Sequence, residues 1–422
     1  MAVRPEDGTI PSFEEARHLV EERAVQLLPG QTESVDLLGA AARILAEPVL
    51  ADRDIPPFPR STRDGYALRA EDLERLPATL DVIAEVRAGQ NPEEIPSQMT
   101  RGQAASIMTG APVPMGADAV VMVEYTTRQG DRVEVTRGAS IGENIVPTGA
   151  EARQGALLLT VGTRLNDAAI ALAASVGKSQ LKVYRRPRVA VLTTGDEIVA
   201  IDRAPGPTQI RNSNSYSLAA QIQQAGGEPT VLPIAPDEPQ RLRQLIEEGL
   251  QSDLLILTGG VSMGRYDLVE QVLADLRAEF FFTGAKIQPG RPVVFGRVPC
   301  GADTPVRQKP AAYFFGLPGN PVSTMVTFEL FARPMLEALA GMSPRKLAFL
   351  HARLKSEIRV KTGLKRFLPA VLSGEFENSE VELVAWQGSG DIAATARANC
   401  YIVVPPDRER IAAGEWVAVM MR

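Results

Sequence analysis

The order of apolar segments predicts a multidomain α/β fold class. It comprises a central α/β domain on a parallel or mixed sheet, an inserted small β domain, an elongated helix-rich linker domain and a C-terminal β-barrel-like domain. Three observations lead there. Between residues 188 and 341, apolar strand-like runs alternate with amphipathic helical patterns, as in sheets with helices on both faces. On either side of that block the chain breaks into short β-prone runs separated by Gly, Pro and Asn. The length, 422 residues, exceeds what one hydrophobic core ordinarily organises. The expected boundaries are 1–49 plus 146–187 for the helix-rich domain, 50–145 for the inserted β domain, 188–341 for the α/β domain and 342–422 for the C-terminal β domain.

In chain order, Ser12 and Glu15 have the spacing of a capping box and open a helix over residues 12–28, stopped by Pro29-Gly30. A second helix is expected over 37–46. The proline-rich run at 54–60 (DIPPFPR) must be extended or turning. Strands at 80–86, 104–108, 119–124 and 132–136 make the inserted β domain, and a helical pattern returns at 170–176. The basic run at 184–188 (YRRPR) reads as a linker with a solvated flank. The α/β block then follows: strand 189–193 and helix 213–225, strand 230–234 and helix 238–248, strand 254–258 and helix 268–276. Strands at 292–296 and 312–317 and a helix over 321–339 complete it. Past Ser343-Pro344, strands are expected at 349–354, 367–372, 381–386, 401–404 and 416–420.

Composition removes several function classes. The formal charge of −6 disfavours a nucleic-acid partner. Cys300 and Cys400 are the only cysteines, which excludes a four-cysteine zinc site and a disulfide framework and fits a reducing cytoplasm. His18 and His351 are the only histidines, so a Ser-His-Asp triad or a His-rich metal centre is not expected. A working metal would take oxygen ligands, which points to magnesium. The N-terminal stretch carries acids and lacks the apolar core of a secretory signal. No uncharged apolar run approaches the ~20 residues needed to cross a membrane.

Three loops leave the carboxyl ends of the α/β strands with polar side chains: 193–198 (TTGDEI), 258–267 (TGGVSMGRYD) and 316–323 (GLPGNPVS). Ligands of open α/β sheets bind at that edge. Gly259 and Gly260 allow the turn and a close approach of backbone to ligand. Glu197 and Asp267 each stand just past a strand end, and two such acids suit magnesium held between protein and a phosphate. Asn320 and Pro321 suit the start of a helix, and Gly319 lets an anion approach its free N–H groups. Asp237 fits either an N-cap of the following helix or a working acid. Asp64 fits a plain Asp-Gly turn or a working acid. An oxyanion or phosphate needs countercharge; Lys286 and Arg291 in one loop and Lys365 and Arg366 in the C-terminal domain can supply it. No GxxxxGK[ST] phosphate loop occurs.

Taken together, several motifs resemble one family, the molybdopterin molybdenumtransferases. They are 61–67 (STRDGYA), 107–112 (IMTGAP) with 116–121 (GADAVV), 194–197 (TGDE), 259–264 (GGVSMG) through Asp267, 317–321 (LPGNP), and 388–390 (GSG) with 396–399 (ARAN). They follow the family's order and cover nearly the whole chain. The resemblance implies a homodimer whose site lies between the α/β domain of one subunit and the inserted β and C-terminal domains of the other. It implies adenylylated molybdopterin and molybdate as substrates, with magnesium. AMP leaves and molybdenum is inserted at the dithiolene sulfurs. Transient contact with the molybdopterin adenylyltransferase is also implied. By position, Asp64, Glu197, Asp237 and Asp267 correspond to the family's functional acids, with Glu197 and Asp267 on the metal. Thr109, Ser262, Pro318, Asn320 and Ser389 fall in its substrate-contacting motifs.

The chain departs from the family pattern at three places. Arg63 stands where methionine is common. The stretch 144–151 (NIVPTGAE) lacks the usual arginine and puts Glu151 in place of an aspartate. Gln288-Pro-Gly-Arg291 replaces Lys-Pro-Gly-Lys, and Lys286, two residues upstream, lies on the same side of an extended segment. Two other readings are carried alongside: a molybdopterin adenylyltransferase, because related α/β domains share the GGVS and PGNP loops, and a non-enzymatic molybdopterin carrier or scaffold, because basic residues are lost.

Overall fold

The computed structural model describes residues 10–27, 29–260, 268–299, 311–343 and 346–422. Its central element is a six-stranded sheet in the order Glu228–Val231, Arg188–Thr193, Leu254–Thr258, Ala311–Leu317, Val294–Pro299, Glu279–Phe282. The first four strands run parallel; Val294–Pro299 runs against them, and Glu279–Phe282, antiparallel to Val294–Pro299, runs with the first four again, so the sheet is mixed. Strand Leu254–Thr258 shows why the sheet is covered on both sides. Leu254 and Ile256 face one core with Val189 and Val191, whereas Leu255 and Leu257 face a second core with Ala190 and Leu192. Side chains alternate along a strand, so a continuous apolar run must feed two cores. Each fully buried Leu or Ile contributes roughly 1.5–3 kcal/mol relative to exposure.

Helices Asn214–Gln224 and Pro321–Thr327 and the helical turns that follow to Leu339 pack on the first face. Helices Pro239–Gly249 and Leu268–Asp275 pack on the second. The N-terminal helix Phe13–Val25 joins the first face as well. Its capping box forms, with Glu15 N–H donating to Ser12 Oγ at 3.2 Å and Ser12 N–H donating to Glu15 Oε2 at 2.7 Å. The Phe13 ring lies 6.0 Å from Phe331 of the α/β core and 5.5 Å from Phe367 of the C-terminal domain.

The helix expected over 37–46 does not form. Strand Thr32–Asp36 pairs antiparallel with Gln180–Tyr184, and the chain then turns, with Ala42 at φ 61°. Ala42 N–H donates to Leu165 O and Leu45 N–H to Thr163 O. A short helix gains little from propensity alone, and distant backbone partners outcompete it here. Between Gln31 and Tyr184, outside the inserted sheet, the described residues hold one α-helix, Asp167–Ser175, and short strand pairings, so this part is less helical than expected.

The inserted unit is a six-stranded sheet in the order Ala119–Met122, Gly65–Leu68, Gln103–Ile107, Ala78–Val86, Arg132–Val135, Thr126–Gln129. The expected strands are present. Strand Gly65–Leu68 was not expected because its sequence reads as an Asp-Gly turn. A Cβ on Gly65 would lie 1.9 Å from Val121 O, so only glycine permits this pairing.

In the C-terminal domain, Lys365–Ser373, Glu380–Leu383, Leu350–Leu354, Trp416–Met421 and Cys400–Val404 pair in that order, and the last pairs back onto the first, closing a barrel. Ile287–Gln288 of the α/β domain adds to it in parallel beside Lys365–Arg366. No helix among the described residues is long and apolar enough to cross a membrane.

Candidate functional site

At the carboxyl edge of the α/β sheet the backbone turns sharply beside polar, buried side chains. Gly259 and Gly260 have φ values of +87° and +57°. A Cβ on Gly259 would lie 2.5 Å from Thr194 O, and one on Gly260 would lie 2.7 Å from Thr194 Oγ1. A Cβ on Gly319 would lie 3.5 Å from Gly259 Cα. The glycines therefore bring the 194, 259–260 and 319 backbones into contact, as their spacing in the sequence suggests.

Three exposed acids gather at this edge. Gly195, at φ +131°, lets the Glu197 carboxylate fold back: a Cβ there would meet it at 2.5 Å. Asp237 N–H donates to Asp196 Oδ1 at 3.1 Å. Partial burial, then the charges of Asp196 and Glu197, push the Asp237 carboxyl above its ordinary range. Asp237 is not a helix cap. Glu238 takes that position without a side-chain cap bond, and Pro239 opens the helix. The capping reading of Asp237 is thus overturned, because proline in the first turn shifts the helix start one residue on. Asp267 and Ser262 lie outside the described residues. Among the described residues, no group of three or more His, Cys, Asp or Glu is arranged to hold a metal ion. The oxygen-only donors and the mutual repulsion felt at Asp237 nevertheless fit a hard divalent cation such as magnesium.

A cleft of about 770 Å³ opens between the α/β domain and the barrel, lined by Gln288, Arg291, Pro318, Asn320, Ser323, Arg366, Trp386 and Ser389 among others. The parallel pairing Ile287↔Lys365 and Gln288↔Arg366 builds one wall. Alternation along Lys365–Arg366 splits the expected cation pair. Arg366 is part of the cleft lining, whereas Lys365 pairs with Glu14 and sits 4.8 Å from the centre of the Phe13 ring. Arg366 is 7% exposed, has no salt bridge among the described residues, and burial lowers its pKa. A buried guanidinium without a carboxylate is costly, and an oxyanion in the cleft would offset that cost.

Lys286 is exposed and does not line the cleft. Its charge lies near Glu15, whose carboxyl is held low first by hydrogen bonds from Ser12 and then by Lys286. Arg291 does line the cleft. The helix start at Asn320-Pro321 is less open than expected: Val322 N–H donates to Ser389 O at 3.0 Å, and the Asn320 side chain makes no cap bond. The barrel loop has taken one of the N–H groups that an anion would use.

The remaining predicted residues sit on or beside the inserted sheet. Asp64 Oδ1 accepts from Thr109 N–H at 2.6 Å and from Thr109 Oγ1 at 2.9 Å. Those bonds hold its carboxyl below the usual range. Asp64 therefore does more than make a turn: it joins two of the singled-out motifs. Glu151 pairs with Arg60 at 2.8 Å. Among the described residues, no hydrogen bond or salt bridge links this group to the α/β edge.

Sequence reasoning passed over Asp196, Thr194, Thr258 and Asn214. The available signal was the polar run Asn212-Ser-Asn-Ser215 at a helix start beside the sheet edge, which is more polar than capping requires.

Three family models match the chain in order: "MoeA N-terminal region (domain I and II)" over residues 11–177, "Probable molybdopterin binding domain" over 190–338 and "MoeA C-terminal region (domain IV)" over 351–421. The molybdopterin molybdenumtransferase of Nostoc sp. is 37% identical over 92% of this chain and 88% of its own length. That of Haemophilus influenzae is 34% identical over 93% and 94%. The crystal structure of a molybdopterin biosynthesis MoeA protein from Pyrococcus horikoshii superposes with a TM-score of 0.77 at 28% identity, covering 98% of this chain and 100% of that one. The motif order, the mixed sheet, the closed barrel and these likenesses agree: the chain belongs to the molybdopterin molybdenumtransferase (MoeA) family.

Proposed function

We propose that the protein inserts molybdenum from molybdate into adenylylated molybdopterin and releases AMP. Its place in molybdenum cofactor biosynthesis, as a transferase, follows from relatives that match it nearly end to end. The observation that carries the finer reading is an acid edge and a basic cleft joined by one loop. Pro318 and Asn320 line the cleft, while Gly319 abuts Gly259 at the acid edge.

In this reading Arg366, Arg291 and Ser389 bind anionic groups in the cleft, and Pro318, Gly319 and Asn320 shape its floor. Gly259 and Gly260 let the backbone approach the pterin. Glu197, with Asp267, would hold magnesium, which neutralises charge on the phosphates when bound. Asp237 completes the acid side. Asp64, held by Thr109, and Glu151 approach the edge from the inserted sheet of a second subunit, making the site a property of a homodimer. Lys286 and Lys365 support the wall from behind. We place the protein in the cytoplasm, receiving its substrate through transient contact with a molybdopterin adenylyltransferase.

The test is a reaction of purified protein with adenylylated molybdopterin, molybdate and magnesium, scored by AMP release and by reconstitution of a molybdenum-dependent apoenzyme. Magnesium-dependent AMP release is expected. Tight molybdopterin binding without any AMP release would replace the enzyme by a carrier.

A further inference from the structure

Asn214 opens the helix after the polar run, yet its side chain turns inward and is 8% exposed. Its Nδ2 donates to Thr258 Oγ1 at 3.0 Å and to Gly319 O at 2.7 Å. Thr258 ends the strand that leads into Gly259-Gly260, and its own Oγ1 donates to Pro318 O at 3.3 Å. Thr324 Oγ1 donates to the same Pro318 carbonyl. The strands ending at Thr258 and Leu317 pair as far as Thr258↔Leu317, and both N–H bonds of one amide are spent at and just past that last rung, where the ladder stops. The Asn214 Oδ1 is buried and has no partner among the described residues.

Helix initiation does not explain this arrangement, because Ser213 holds the cap position. Core packing does not explain it either. An apolar side chain would avoid the desolvation of an amide and the unpaired oxygen. What the amide does is hold the backbone that carries Pro318 and Asn320, which face the cleft, at a set spacing from the backbone that carries Gly259 and Gly260.

We propose that Asn214 is a positioning residue that sets the distance between the acid edge and the oxyanion cleft. It thereby aligns the bound pterin nucleotide with the bound oxyanion. This rests on the function proposed above. The residue touches neither substrate; it acts through the 318–320 loop. Its loss should leave each substrate's binding intact and damage the step that needs both, because misplacement by about 1 Å can cost about 10²-fold in rate.

The experiment compares wild type with Asn214→Ala and Asn214→Asp. The aspartate is isosteric but cannot donate to Gly319 O. Four quantities are measured: kcat for molybdenum insertion, KM for each substrate, molybdate affinity by isothermal titration, and melting temperature. Both variants should lower kcat about 10²-fold, with each KM and the molybdate affinity within about threefold of wild type. AMP release should become less dependent on molybdate, because the two ligands are no longer in register.

Wild-type kcat in Asn214→Asp overturns the proposal. So does a parallel loss of kcat, molybdate affinity and melting temperature, which is the pattern of a merely structural residue. Should both Asn214 variants fail to fold, Thr258→Val takes their place, since it removes the hydroxyl that links Asn214 to Pro318. It should show the same kcat loss, and unchanged kcat overturns the proposal. A wild type that releases no AMP at all defeats the proposed function, a result distinct from active wild type with unaffected variants.

Discussion

The two sides of the site are built by different means. The basic cleft is set by backbone. Ile287–Gln288 pairs with Lys365–Arg366, and Val322 N–H binds Ser389 O, so two domains of one chain form its walls. The acid edge is set by side chains on loop tips of a single domain. Asp196, Glu197 and Asp237 are exposed, and Asp237 is pushed up by partial burial and by its neighbours' charge. Hydrogen-bonded strands hold their spacing whatever the ionisation of nearby groups, whereas like charges on loop tips repel one another. The cleft wall is therefore fixed by strand pairing, and the acid edge is the side whose energetics depend on charge.

The sharpest way to break this contrast is to remove the acid expected on the metal. Glu197→Gln should lower magnesium-dependent AMP release about 10²–10³-fold while leaving molybdate affinity unchanged, as titration calorimetry would show. Loss of molybdate binding in this variant would mean that the two sides are not separate. The next effect belongs to the cleft. Arg366→Gln should weaken molybdate binding about 10–10²-fold, with magnesium affinity unaltered. Equal weakening of both would undo the division of labour.

The pH dependence of stability sharpens the contrast on the acid side. The folded-state pKa of Asp237 is raised. Its contribution to stability is complete below the ordinary carboxylate range and is lost as pH rises through the raised value. Asp237→Asn should therefore raise the melting temperature of metal-free protein at pH 7 by about 1–2 °C and leave it unchanged at pH 3. Magnesium should stabilise wild type more at pH 7 than at pH 4. A variant less stable than wild type at pH 7 would contradict the repulsion inferred at this edge.

The smallest effect tests the back of the cleft wall. Glu14→Gln removes the partner of Lys365, and Lys365 faces away from the cleft. A change of about 1 °C or less in melting temperature is expected, with no change in the KM for molybdate. A shift in that KM would bring Lys365 back into the anion site.

Much of this was legible in the chain before folding. The strands around 189–193, 254–258 and 312–317 announce themselves because runs buried on both faces need continuous apolar residues. The capping box at Ser12 and Glu15 forms as read, because both partners lie within one turn. The helix expected over 37–46 fails for the opposite reason: its backbone partners, Thr163 and Leu165, are more than a hundred residues away. Strand Gly65–Leu68 stayed hidden because its glycine serves a close approach to Val121 O that no local pattern encodes. The sites divide in the same way. Gly259, Gly260, Gly319 and Glu197 mark the sheet edge through spacing after strands, a local property.

By itself the sequence determined the fold class, the order of motifs that identifies the family, and the residue types able to carry phosphate, metal and oxyanion chemistry. Local periodicity and short-range spacing suffice for those. Only the tertiary structure decided that Arg366 enters the cleft while Lys365 turns to Glu14, that Ser389 closes part of a helix start, that Asp237 joins Asp196 and does not cap a helix, and that Asn214 ties the strand end at Thr258 to the loop at Gly319. Each of these depends on which distant backbone lies alongside. That is set by the pairing of whole strands and the packing of buried faces, and no neighbour in sequence carries the information.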